Sequence, residues 1–117
     1  MFARRSTRGG MCPEGPCRSE LVVNVDGSWS YQTEDGASEG HLSDAELSRL
    51  REAVGDTGLG SGTEPATQCA ADSDGTSVSY GWTIDGQEYE VDSCEVLISA
   101  DDPLVQALDQ LAASLEG

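Results

Sequence analysis

Four cysteines are the residues of this sequence best suited to specific chemistry: Cys12, Cys17, Cys69 and Cys94. Such a set allows several disulfide pairings or one four-thiolate metal site. Zinc sites usually bring their thiolates in close pairs such as C-x2-C, whereas four residues separate the closest pair here. We therefore expect local disulfides, Cys12 with Cys17 and Cys69 with Cys94, and neither a metal nor a cofactor. Disulfides persist in oxidising compartments, which favours a secreted protein.

Acid–base and phosphoryl-transfer chemistry have few suitable residues in this chain. It contains one histidine, His41, and no lysine. The 22 acidic residues fall in no recognisable catalytic motif. Neighbouring acids such as Asp72 and Asp74 also lack the pattern of a calcium loop. We expect His41 to be solvated or structural, the carboxylates to form a solvated surface, and the protein not to be an enzyme.

The segment 9–18 is the strongest candidate for recognition, because two prolines and the predicted Cys12–Cys17 disulfide would stiffen it. A loop that is already ordered loses less conformational entropy when it binds. The alternative is that it only turns the chain between two strands. The candidate binding residues are Gly9, Gly10, Met11, Pro13, Glu14, Gly15, Pro16 and Arg18.

The charge of the chain is strongly negative and unevenly distributed. The net charge is −16, which disfavours binding to nucleic acids and to anionic membranes. Residues 1–18 carry four arginines and one glutamate, whereas the other 99 residues carry two arginines and 21 acids. The basic arm either neutralises the acidic body, as an edge strand protected by its charges, or meets an acidic partner.

Strands and helices must position these residues in the fold. The chain has 117 residues, a length typical of one domain. Residues 21–31 and 78–91 each read as strand, Asp-Gly turn, strand, with Leu21, Val23 and Val25 on one face. We expect the tryptophans on these strands, Trp29 and Trp82, to be core or sheet-face residues.

Two helices are predicted from their caps and apolar spacing. Ser43 and Glu46 have capping-box spacing before a helix over 44–54. Asp102 precedes Pro103, the predicted first residue of a second helix. The predicted buried face of that helix is Leu104, Leu108, Leu111 and Leu115. Residues 55–68 read as a long loop.

The predicted fold is a single α+β domain, an antiparallel sheet of at least four strands with two helices on one face, stapled by disulfides.

The order of features resembles a known family. A basic strand ending at residues 6–11, a helix opening at Leu42-Ser43, a hairpin over 80–91 and a final helix at Pro103 follow one another. This order resembles the emfourins, small inhibitors of thermolysin-like metalloproteases, and related secreted or lipid-anchored actinobacterial proteins. The resemblance implies a protease inhibitor, although Met11 stands where an aromatic residue is common and the cysteine pairs look like those of the secreted relatives.

A more local similarity concerns the same segment. Met11-Cys12-Pro13, followed by the stretch 22–29, is similar to the reactive loop and adjoining strand of bacterial subtilisin inhibitors. We therefore expect a monomeric binding protein that inhibits a secreted metallo- or serine peptidase through segment 9–18. The alternative is a non-catalytic structural or interaction module of the cell envelope.

The expected location of the protein follows from the same features. No apolar run reaches the length of a membrane helix, and the first five residues lack the apolar stretch of a secretory signal. Either the protein is cytoplasmic or a signal segment has been removed. The predicted disulfides favour the second account, a protein that is secreted or lipid-anchored at the cell surface.

Overall fold

The computed structural model describes residues 2–9, 18–34, 36–59, 76–96, 98 and 101–116. The strands in these ranges are β1 (Ala3–Gly9), β2 (Arg18–Val23), β3 (Ser28–Thr33), β4 (Gly36–His41), β5 (Thr76–Ile84) and β6 (Gln87–Asp92). The helices are α1 (Asp44–Asp56) and α2 (Pro103–Glu116). The strands form one sheet in the order β4-β3-β2-β1-β5-β6, and all neighbours are antiparallel. The predicted α+β fold on an antiparallel sheet is thus confirmed.

The basic strand β1 lies in the middle of the sheet, between β2 and β5. The interpretation of this segment as an edge strand is therefore wrong. A central position is tolerated because each of three arginines pairs with an acid from another element. The pairs are Arg4 with Glu90, Arg5 with Asp109, and Arg8 with Asp92.

Both predicted hairpins form, with different turns. Asp85 and Gly86, at φ 51° and 78°, connect β5 to β6 in the tight turn that the sequence predicts. Residues 24–27 connect β2 to β3 in a wider loop, which ends at Gly27 with φ 91°. Val25 therefore lies outside the strand and is 65% exposed, so the prediction that it shares one face with Leu21 and Val23 is wrong.

Both helices begin at the predicted caps. Ser43 and Glu46 form the reciprocal capping box of α1. The Asp102 carboxylate accepts the backbone N–H of Leu104 at 2.9 Å at the start of α2. Helix α1 ends at Asp56 rather than at residue 54, so the first two residues of the predicted 55–68 loop are helical.

The core lies between the helices and one face of the sheet. In register, two rows of side chains cross this core face. One row is Trp29, Val23, Ala3, Trp82 and Tyr89. The second is Tyr31, Leu21, Arg5, Tyr80 and Val91. The helices cover them with Leu47, Leu50, Ala53, Val54, Leu104, Val105, Leu108 and Ala112. Of the predicted α2 face, Leu111 and Leu115 are only partly buried.

Arg5 is the charged exception within the core face. Its Nε donates to Asp109 Oδ1 at 2.8 Å, and the hydroxyl of Tyr80 donates to the same oxygen at 2.7 Å. Burial and the neighbouring Asp109 raise the pKa of Tyr80 above its usual range. One carboxylate of α2 therefore links the helix to β1 and β5.

Candidate functional site

The two ends of segment 9–18 belong to adjacent strands near the centre of the sheet. Gly9 ends β1 and pairs with Thr76 of β5, whereas Arg18 begins β2 opposite Arg8. Because both ends are residues of a strand ladder, the backbone positions at which the segment leaves and rejoins the sheet are fixed. We call Gly9 and Arg18, together with the two acids that bind next to them, Asp92 and Glu34, the root of the segment.

At the returning end of the root, a carboxylate holds the backbone. The N–H of Arg18 donates to Glu34 Oε1 at 2.6 Å. Glu34 directly follows β3, so this bond ties the start of β2 to the end of its neighbour. One strand position further along, the hydroxyls of Thr7 and Ser19 bond to each other across β1 and β2.

At the leaving end of the root, Asp92 is the centre of a hydrogen-bond network. Its carboxylate accepts from Arg8 Nη1 at 2.7 Å, from the Ser79 hydroxyl at 2.7 Å and from the backbone N–H of Cys94 at 2.8 Å. Burial acts to raise the pKa of Asp92, but these hydrogen bonds outweigh it and hold the pKa at about 2. Asp92 is therefore ionised at neutral pH and joins β1, β5 and the turn after β6.

Cys94 lies beside this network and is not a free thiol. Its Sγ accepts a hydrogen bond from Arg8 Nη2 at 3.2 Å and lies 3.0 Å from the Ser77 hydroxyl oxygen. The other three cysteines, Cys12, Cys17 and Cys69, lie outside the described residues. The predicted disulfide pairing therefore stays a prediction.

Most of the predicted binding residues also lie outside the described residues. These are Gly10, Met11, Pro13, Glu14, Gly15 and Pro16. Of the predicted set, the structure places Gly9 and Arg18, and it brings them to one end of the sheet through neighbouring strands.

His41 takes part in a turn network on the β3–β4 side of the sheet. Its Nε2 lies 3.1 Å from the backbone oxygen of Asp26. The hydroxyl of Ser28, which pairs with His41 in register, instead donates to the Asp26 carboxylate at 2.6 Å. Hydrogen bonds from Ser28 hold the pKa of that carboxyl below its usual value. These hydrogen bonds stabilise the turn between β2 and β3.

Sequence reasoning missed Glu34 and Asp92, the two acids of the root. They lie 16 and 84 residues along the chain from the groups that they bind, Arg18 and Arg8. The only local signal was the two-residue period of β1, which puts Arg4 and Arg8 on one face and Arg5 on the other. That alternation predicts acidic partners on both sides of the sheet but does not identify them.

The described ranges hold neither a cluster of metal ligands nor a helix that could span a membrane. No group of three or more potential metal ligands occurs among these residues. None of the helices found there is long and apolar enough to cross a membrane. Comparison with known protein families and with curated proteins gave no match to the sequence.

Proposed function

We propose that this protein binds a secreted peptidase and inhibits it through segment 9–18. The observation that carries the proposal is the construction of the root. Gly9 and Arg18 are residues of neighbouring strands. Asp92 binds the side chain of Arg8, next to Gly9, and Glu34 accepts the backbone N–H of Arg18. A segment whose ends are fixed in this way loses less conformational entropy on binding than a free loop does.

The resemblance to the emfourins and the local similarity to the subtilisin inhibitors support the same segment. In this proposal, Glu14 or Met11 approaches the cleft of the peptidase, and Gly9 and Gly10 permit close approach of the backbone. The inhibitor acts as a monomer and takes no cofactor. It is secreted or lipid-anchored at the cell surface, with a cytoplasmic location as the alternative.

The predicted disulfides belong to this proposal. A Cys12–Cys17 bond closes the segment itself. A Cys69–Cys94 bond brackets the β5–β6 hairpin and attaches at Cys94, which lies within hydrogen-bond distance of Arg8. Peptide mapping under non-reducing conditions tests the pairing. A Cys12–Cys69 or Cys17–Cys94 bond would contradict it.

Inhibition is tested by incubating the purified protein with a panel of secreted metallo- and serine peptidases and measuring cleavage of a fluorogenic peptide. We expect dose-dependent inhibition of at least one peptidase. Opening the segment with Cys12→Ser plus Cys17→Ser should weaken that inhibition, because the freed segment must then be ordered on binding. Full activity of every peptidase at saturating protein would contradict the proposal.

The second candidate function is a non-catalytic module of the cell envelope that binds through its open sheet face. The face opposite the helices is polar, and two of its arginines are paired with acids of β6: Arg4 Nη2 lies 2.6 Å from Glu90 Oε2, and Arg8 Nη1 lies 2.7 Å from Asp92 Oδ2. Gly81 stands between Arg4 and Glu90 in register and leaves room for the arginine side chain to cross β5. Binding to isolated cell envelopes that persists in the doubly substituted Cys12→Ser, Cys17→Ser protein would favour this function.

A further inference from the structure

The two edges of the sheet are protected to different degrees. Strands β4 and β6 each have one neighbour in the sheet, so no described strand pairs with the backbone N–H and C=O groups along the outer side of either. β6 carries the acidic residues Glu88, Glu90 and Asp92, whereas Glu39 is the one acid of β4. Charged side chains on an edge oppose the addition of another strand. By this criterion β4 is the more receptive edge.

Trp29 extends its indole ring to the receptive edge. A Cβ atom built on Gly40 would lie 2.5 Å from Cζ2 of Trp29, so the ring lies directly over the backbone of β4. Gly40 and Trp29 are opposite each other in register, and Trp29 is only partly buried against the core. A strand added beyond β4 would place a side chain beside this indole, where an apolar group gains contact area.

Charge on the other face of β4 favours a basic neighbour. Glu39 is exposed and alternates with Gly40, so it lies on the face opposite the indole. The net charge of −16 attracts a basic partner and repels a second copy of this chain. Residues of an added strand would therefore alternate between an apolar side chain beside Trp29 and a basic one beside Glu39.

From these observations we infer that β4 binds an extended peptide segment of a partner protein as a seventh strand of the described sheet. The segment presents alternating basic and apolar residues, the first to Glu39 and the second to Trp29. Its backbone pairs with the outer N–H and C=O groups of β4. The inference does not depend on segment 9–18 and goes beyond the proposed inhibition.

The probe for this inference is a seven-residue peptide of alternating lysine and valine with blocked ends. Two control peptides carry N-methyl groups, one on every lysine and the other on every valine. Alternate residues of a strand direct their N–H groups to opposite sides, so one control loses the bonds to β4 and the other keeps them. We expect one control to bind like the parent peptide and the other to bind at least about tenfold more weakly.

The location of binding is measured by NMR, from the changes in backbone amide chemical shifts when the peptide is added to isotope-labelled protein. We expect these changes to concentrate in β3 and β4 and at the indole N–H of Trp29. Glu39→Gln should raise the dissociation constant about two- to fivefold, as for an exposed ion pair. The matched change Glu88→Gln, on the other edge, should leave it unchanged.

Three results would overturn the inference. Equal binding of the parent peptide and both methylated controls would reduce the interaction to charge attraction. Shifts centred on β6, or no shifts at all, would exclude β4. Sedimentation of the protein alone as a dimer that Ala37→Lys dissociates would identify a second copy as the occupant of this edge.

Discussion

Replacement of Asp109 by alanine tests whether one carboxylate links α2 to the sheet. Arg5 Nε and the Tyr80 hydroxyl both donate to Asp109 Oδ1, at 2.8 and 2.7 Å. The Arg5 side chain is 19% exposed, so water replaces the lost acceptor only in part. Hydrogen bonds to charged groups contribute about 1.5–3 kcal/mol each, but Asp109 itself is 45% exposed, which reduces the net effect. We expect Asp109→Ala to lower the free energy of unfolding by about 2 kcal/mol.

Urea unfolding at pH 7, followed by far-UV circular dichroism, measures this effect. The matched control is Gln110→Ala, because Gln110 is an exposed neighbour on the same helix and the change should stay within about 0.5 kcal/mol. Tyr80→Phe removes one donor and should cost about 1 kcal/mol. The double variant with Asp109→Ala should lose less than the two single losses added, because the groups interact directly. A loss below about 0.5 kcal/mol for Asp109→Ala, or strict additivity, would refute the reasoning.

Three further changes test the fold by equilibrium unfolding. Ser43→Ala removes the cap of α1 and should cost about 1 kcal/mol, whereas Ser48→Ala within the same helix should cost nothing. Gly40→Ala should destabilise by about 1–3 kcal/mol because its Cβ would meet an indole carbon at 2.5 Å. Gly55→Ala, with open space around it, should stabilise by about 0.5–1 kcal/mol. Asp92, with a pKa held at about 2, contributes stability above about pH 4 that disappears as the pH falls towards 2. Asp92→Asn should therefore be less stable at pH 7 and lose less stability between pH 4 and 2; an identical pH profile would contradict the network.

The parts of the fold that the sequence predicted are those determined by neighbouring residues. The capping box at Ser43, the Asp102 cap and the Asp85–Gly86 turn each involve residues only a few positions apart. Their geometry follows from local backbone and side-chain chemistry. Strand β4 was missed because Gly36–His41 has no β-branched or aromatic residue. It forms because β3 offers a paired neighbour along its whole length.

The long-range arrangement could not be predicted from local patterns. β1 pairs with β5 across 67 to 79 residues of the chain, from Gly9 with Thr76 to Ala3 with Trp82, and no turn connects them. The partners of its arginines are equally distant. The same contrast between local and long-range features holds for the candidate site. The proline-rich segment 9–18 could be recognised from neighbouring residues, but the carboxylates of Glu34 and Asp92, which hold its root, could not.

The inhibition constant of a Glu14→Ala variant tests the central claim most directly, that segment 9–18 carries the inhibitory function. The measurement uses a peptidase inhibited by the unsubstituted protein, with Glu88→Ala as the control for loss of one exposed acid elsewhere. A contact residue at the cleft should raise the inhibition constant more than about fivefold without changing the unfolding midpoint. Glu88→Ala should leave it unchanged. Equal inhibition constants for the unsubstituted protein, for Glu14→Ala and for the form lacking Cys12 and Cys17 would contradict the claim and direct attention to the sheet.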